Sequence, residues 1–406
     1  MNDAAVHGTV APGFEGVRVA FEQNFRQHGE KGASLGVYVE GEQKVDLWGG
    51  VADVATGRPW ERDTVAITYS VSKGATAILA WLLAQRGDLD FDAPIAAYWP
   101  EFAASGKEAI PVRYIFTHQA GLPYLAERLN REEILDGGRV SEVLERQAPA
   151  WTPGSAHGYH AVTYGWLAGA LIAKATGRTL GRAFADEIAR PLGLDFYIGL
   201  AAAETGRVAQ LIDGPPPDAT ALAAIPDPEV RNMVMAIYRA MLDRGSTYSR
   251  SLSTNGALPV HANAWNDPRV YQAEIPAANG IANGRSLARM YAATVSEVDG
   301  VRLLTEETVE KARAEQVYGP DLTLLVPMRF ATGFQLPTPD IDFVMLSGDS
   351  FGHSGLGGAL GFADPRYKLG FGYVQNLLLS DLDTDPRAIS LIAAVADAIG
   401  APPTHR

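Results

Sequence analysis

The spacing of apolar residues changes character along this chain. Over residues 14–28, Phe14, Val17, Phe21 and Phe25 recur three and four positions apart, which predicts an amphipathic helix. The next stretch, ASLGVYVEGEQKVDLWGG at 33–50, predicts two antiparallel strands joined at Gly41-Glu42. From 70 to 86 the pattern is apolar nearly all round (Val71, Ala75, Ile78, Leu79, Leu82, Leu83) and stops at Gly87. A helix of that kind belongs inside a protein.

Helical patterns dominate from about 90 to 200, at 139–147, 161–176 and 179–191. Residues 213–228 are a Pro-rich loop, and helices are expected again at 229–244, 284–296, 305–315 and 387–399. Gly and aromatic residues at strand spacing mark 330–336, 357–365 and 369–376, with a turn near Asp364-Pro365. Strands at both ends with helices between them imply an α/β (α+β) fold. In it, 1–68 and 325–406 supply an antiparallel β-sheet flanked by helices. A mostly helical lobe, 69–324, is inserted, and the active site is expected between the two.

Composition narrows the function classes. The chain has 406 residues, 47% of them hydrophobic and 20% charged, an ordinary globular balance. A formal charge of −13 argues against a nucleic-acid partner, which would need a basic face. No apolar run is long enough to cross a bilayer, so no membrane partner is expected. The N-terminus, MNDAAVHGTVAPGFEG, lacks a basic stretch followed by an apolar one, so a cytoplasmic location is expected. With no cysteine, disulfides and thiol nucleophiles drop out, and the redox compartment stays open. The eight histidines are scattered, without an HExxH pair, so no metal or cofactor is expected. The sequence leaves a homo-oligomer open.

Three clusters carry candidate chemistry. In TYSVSKGATA, Ser70 and Lys73 stand three residues apart at a helix start, so both lie on one face about a turn apart. The exposed N–H groups there favour an alkoxide or oxyanion at Ser70. Burial would lower the Lys73 pKa, and a neutral amine could take the hydroxyl proton. Of the seven lysines only this one has a serine three residues before it. The plain alternative is an N-cap serine with a solvated lysine.

The second cluster, TPGSAHGYHAVTYGWLAGAL, turns at Pro153-Gly154 and sets Tyr159 just before a helix, where a phenol can move a proton. Tyr164, His157 and His160 compete for that role. The third is Gly352-His353-Ser354-Gly355-Leu356-Gly357-Gly358, where Gly-rich edges admit a substrate close to free backbone N–H groups. Two Gly-x-Ser-x-Gly strings, around Ser34 and Ser350, lack the strand-to-helix elbow and the following acid and His, and are read as accidental.

With these clusters in hand, the chain resembles the serine β-lactamase and penicillin-binding superfamily, and within it the family VIII carboxylesterases. The resemblance runs in order through YSVSKGATA, GDLDFDAPIAAYWPEF, YIFTHQAGLP, TPGSAHGYH, IPAANGIANGRSLARMYAA and GHSGLGGALGFADPRYKLGFGYVQN. It implies Ser70 as acyl-accepting nucleophile, Lys73 as its activating partner and Tyr159 as proton shuttle. It also implies substrate contacts at His353, Ser354 and Gly355, and an oxyanion hole from the N–H groups of Ser70 and Leu356. His118 matches a recurrent histidine of the family and is read as structural. The chain carries Tyr159-His160-Ala161 where class C β-lactamases have Tyr-x-Asn, and His353 where they have Lys. Both departures weaken antibiotic hydrolysis. The expected function is a carboxylesterase acting on small-molecule esters with short acyl chains. A β-lactamase or D,D-peptidase, an acyltransferase and a non-catalytic binding protein are the alternatives. The 213–228 loop and the 245–275 stretch fit no family block and are read as pocket borders.

Overall fold

The computed structural model describes residues 5–216, 220, 222, 224–379 and 385–402. Its sheet is built from β1 (Val6–Val10), β2 (Gly32–Val39), β3 (Glu42–Asp53), β4 (Phe351–Ser354), β5 (Leu360–Asp364) and β6 (Leu369–Gln375). A two-residue strand, Arg58–Pro59, adds to β3 and makes a seventh. The order is β1-β3-β2-β6-β5-β4, antiparallel throughout, so the two ends of the chain meet where β2 pairs β6.

One face of the sheet is covered by α1 (Glu15–Gln27) and the C-terminal α5 (Pro386–Ile399), which pack on each other. Phe21, Phe25, Leu391 and Val395 bury their side chains there against Val37, Leu47 and Phe371. Among the other helices, α2 (Val71–Arg86), α3 (Thr163–Thr176) and α4 (Gly284–Val295) surround the second core, on the opposite face. Helix α4 lies directly on β2 and β6, and glycines permit it. A Cβ on Gly370 would stand 2.3 Å from the Ala288 carbonyl oxygen, and one on Gly372 2.5 Å from that of Gly284. Helix α2 is buried from Val71 to Leu83, as its all-round apolar pattern required.

The antiparallel sheet with helices about it is the architecture expected from the chain, and the fold is mixed α/β. Three local expectations change. The first hairpin turns on Glu40 and Gly41, both at positive φ, one residue earlier than Gly41-Glu42. The strand expected at 330–336 ends at Phe330: Pro327–Phe330 pairs with Val317–Pro320, and the Ala331 N–H then donates to the Phe334 carbonyl (2.9 Å), closing a tight turn. Strand β1 was not foreseen, because its five residues are polar or half-exposed at every position. The 213–228 loop falls partly outside the described residues. Among the described residues, no helix is long and apolar enough to cross a membrane.

Candidate active site

Ser70 is the residue before α2, and its side chain makes no capping hydrogen bond. The N-cap reading therefore fails, and the hydroxyl is committed elsewhere: its Oγ lies 3.0 Å from Lys73 Nζ. Tyr69, immediately before it, sits at φ +46°, a left-handed conformation that costs an aromatic residue roughly 1–3 kcal/mol and is held only by its surroundings.

Lys73 is fully buried, with no carboxylate among its partners in the described residues. Its Nζ donates to the carbonyls of Ala161 (2.7 Å) and Ala277 (3.0 Å). Burial pushes its pKa well below the usual lysine range, because a desolvated ammonium without a counter-ion is unfavourable. The geometry fits the neutral amine: two N–H bonds meet two carbonyls, and the lone pair is left for the Ser70 hydroxyl.

Tyr159 stands over this pair. Its ring centroid is 4.7 Å from Lys73 Nζ, and the Ser70 side chain is close enough to pull the phenol's pKa down. Burial raises its pKa above the usual phenol value, so it stays protonated at neutral pH; the Ser70 contact only partly opposes this. The competing residues face elsewhere. Tyr164 donates its hydroxyl to the Lys73 carbonyl (3.1 Å). His160 accepts from the Leu122 N–H through Nε2 (2.9 Å) and gives its Nδ1–H to the Gly158 carbonyl (2.7 Å), which fixes a neutral ring. Burial holds His160 down at about 4. His118 is buried and accepts the His160 N–H through Nδ1 (3.1 Å), in keeping with a structural role.

The strand β4 brings His353, Ser354 and Gly355 to the same cavity, about 240 Å³ in volume, whose walls also include Ser70, Tyr159 and Leu356. Gly355 is required by proximity: a Cβ there would lie 2.1 Å from the Thr68 carbonyl oxygen, two residues before Ser70. His353 gives its Nδ1–H to the Ser354 carbonyl (2.7 Å), so its Nε2 is an acceptor. Burial, then the nearby Lys73, push its pKa down to about 3. The ring is neutral and cannot replace a lysine charge. The N–H groups of Ser70 and Leu356 have no acceptor among the described residues.

Four contacts from distant segments escaped the sequence. Asp321 accepts the Tyr159 N–H through Oδ1 (3.0 Å), Ser251 donates its hydroxyl to the Tyr159 carbonyl (3.2 Å), and the Ala277 carbonyl holds Lys73. Gln335 accepts the Ser354 hydroxyl through Oε1 (2.9 Å). Each is an ordinary residue whose partner lies far along the chain, so no local signal marks it. From the 245–275 stretch, Tyr248, Leu252, Val260 and Trp265 line the cavity, whereas no described residue of 213–228 does. The accidental reading of the two Gly-x-Ser-x-Gly strings fits their placement. Ser34 Oγ accepts the Gly284 N–H (2.9 Å), Ser350 donates to Asp364 (2.7 Å), and neither lines the cavity.

A strand-flanked Ser-x-x-Lys pair, with a tyrosine above it and a Gly-rich strand beside it, defines a class, and comparison with known proteins gives the same one. The Beta-lactamase family model matches residues 19–394, and the chain belongs to that family. It is 38% identical over 387 residues to the esterase/beta-lactamase LipL of Mycobacterium tuberculosis, covering 93% of this chain and 84% of LipL. Among solved structures, a family VIII carboxylesterase superposes with a TM-score of 0.84 at 36% identity, covering 97% of this chain and 100% of the other. A penicillin-binding protein homologue from Caulobacter crescentus gives a TM-score of 0.81 at 34% identity, with the same coverage. The resemblance seen in the sequence thus holds over nearly the whole chain.

Proposed function

We propose that the protein is a carboxylesterase that cleaves small, uncharged esters through an acyl-enzyme on Ser70. The observation that carries this reading is Lys73: buried, without a counter-ion among the described residues, bound to two carbonyls and to Ser70 Oγ at 3.0 Å. The Ser70 proton passes to the Lys73 lone pair as the oxygen attacks the ester carbonyl. The tetrahedral oxyanion is received by the N–H groups of Ser70 and Leu356. Collapse expels the alkoxide, which takes the phenolic proton of Tyr159, and Lys73 returns a proton to the phenol. Water then hydrolyses the acyl-enzyme by the same path in reverse.

The cavity walls support an uncharged substrate. Tyr248, Leu252, Trp265, Leu324, Val326 and Met328 are among the residues that line the cavity. Among the described residues no lysine or arginine lines the cavity, and His353 is neutral, so none of them offers an ion pair to the carboxylate of a β-lactam or a peptide terminus. Similarity to a family VIII carboxylesterase supports the ester over the amide, and LipL carries both an esterase and a β-lactamase name. The test is hydrolysis of p-nitrophenyl butyrate. Ser70→Ala is expected to lose at least about 10³-fold in kcat/KM. A loss under tenfold, or nitrocefin turnover matching the ester rate, would overturn the reading.

A further inference from the structure

Behind the Gly355–Gly358 turn, on the α1/α5 side of the sheet, lies a buried ionic cluster that the reaction above does not use. Arg387, the second residue of α5, is fully buried. Its guanidinium grips Asp385 with two bonds (Nε 2.9 Å, Nη2 2.7 Å) and Glu30 with a third (Nη1 3.1 Å). The same Nη2 donates to the carbonyls of Gly357 (2.8 Å) and Leu377 (3.0 Å). Gln375, at the end of β6, donates its amide to that Gly357 carbonyl as well (2.5 Å). Tyr373 donates to Glu30, and burial pushes the Glu30 carboxyl above its ordinary pKa. One cation and one amide, both out of water, thus converge on the backbone oxygen of the residue that follows Leu356.

That convergence is more than packing requires. A single backbone N–H would satisfy a buried carbonyl, and the Leu379 N–H stands 3.4 Å away. Two strong donors instead fix the position of the Gly357 peptide. The Leu356 N–H lies two backbone residues upstream of that carbonyl, so anchoring it restricts where the N–H can point.

We infer that Arg387 and Gln375 are positioning residues for the oxyanion hole: they clamp the Gly357 carbonyl from behind the sheet, so that the Leu356 N–H faces the developing oxyanion on Ser70. This rests on the ester-hydrolase reading above. The clamp ties the site to both chain ends, since Glu30 follows α1 and Arg387 opens α5. Lysine at 387 could not span two carboxylates and a carbonyl at once, because an ammonium lacks the planar fork of a guanidinium.

The test uses the full chain with two variants. Gln375→Met keeps the side-chain length, removes one donor, and deletes an amide oxygen that has no partner among the described residues, so the fold is expected to be retained. Its kcat for p-nitrophenyl butyrate should fall about tenfold with KM within twofold, the signature of an interaction made only in the transition state. The inhibition constant of phenylboronic acid, whose Ser70 adduct carries a tetrahedral oxyanion, should weaken by the same factor. Arg387→Lys should lose more, about 10²-fold in kcat, where the protein still folds. Wild-type kcat in Gln375→Met, or a fall in kcat without weaker boronate binding, would overturn the inference. The boronate constant does not require turnover. A wild type that binds boronate at Ser70 but hydrolyses no ester would therefore sink the ester reading and leave this one standing.

Discussion

Two lysines are buried in this protein without a carboxylate partner among the described residues, and their neighbours differ by one atom type. Lys107 Nζ donates to three carbonyls, those of Ala104 (2.7 Å), Glu145 (3.0 Å) and Gln147 (2.6 Å). Carbonyls only accept, so three of them demand three N–H bonds, and that means an ammonium. Lys73 meets two carbonyls and a hydroxyl. A hydroxyl can donate, so the neutral amine satisfies every partner there. Burial pushes Lys107 down to about 8, leaving it charged at neutral pH, and pushes Lys73 further. Desolvation alone thus does not make a base. The acceptor and donor pattern around the nitrogen decides whether a buried lysine is a structural cation or a chemical group.

Exchanging each nitrogen for an apolar group should separate the two roles. Lys73→Met is expected to reduce kcat/KM by about 10⁴-fold with the circular dichroism spectrum unchanged. Tyr159→Phe removes the phenolic proton but leaves the ring on Lys73, and should cost about 10²-fold in kcat. Lys107→Met should behave in the opposite sense: it strands three carbonyls and should lower unfolding stability by about 3 kcal/mol in urea titrations. The kcat of its folded fraction should stay within twofold of wild type. A large kcat loss in Lys107→Met, or none in Lys73→Met, would erase the contrast.

The proposed nucleophile and its lysine were legible in the sequence because their signal is local. A Ser-x-x-Lys string opens the helix whose residues are apolar on every side, and such a helix is buried whatever surrounds it. By spacing alone Tyr159 was one of four residues, and only the family resemblance singled it out. What separates it from Tyr164, His157 and His160 is the backbone path through 157–161. That path is set by Asp321 and Ser251, 162 and 92 positions away from Tyr159. Arg387 was invisible for a similar reason. In the chain it is one more charged residue at a helix start, and only the pairing of β2 with β6 brings Glu30 within its reach. The expected strand at 330–336 failed where the Ala331–Phe334 hydrogen bond closes a turn that alternation cannot reveal.

The charge on the Lys73 nitrogen in the resting enzyme can be read directly. Lysines labelled at Cε report protonation through their carbon and proton shifts, with Lys73→Met assigning the resonance. At pH 7 the Lys73 signal should be that of an amine, and should move to the ammonium position only as the pH is lowered, with ester turnover falling in step. The Lys107 signal should be that of an ammonium at the same pH. A Lys73 resonance that stays at the ammonium position up to pH 9 while turnover continues would contradict the account.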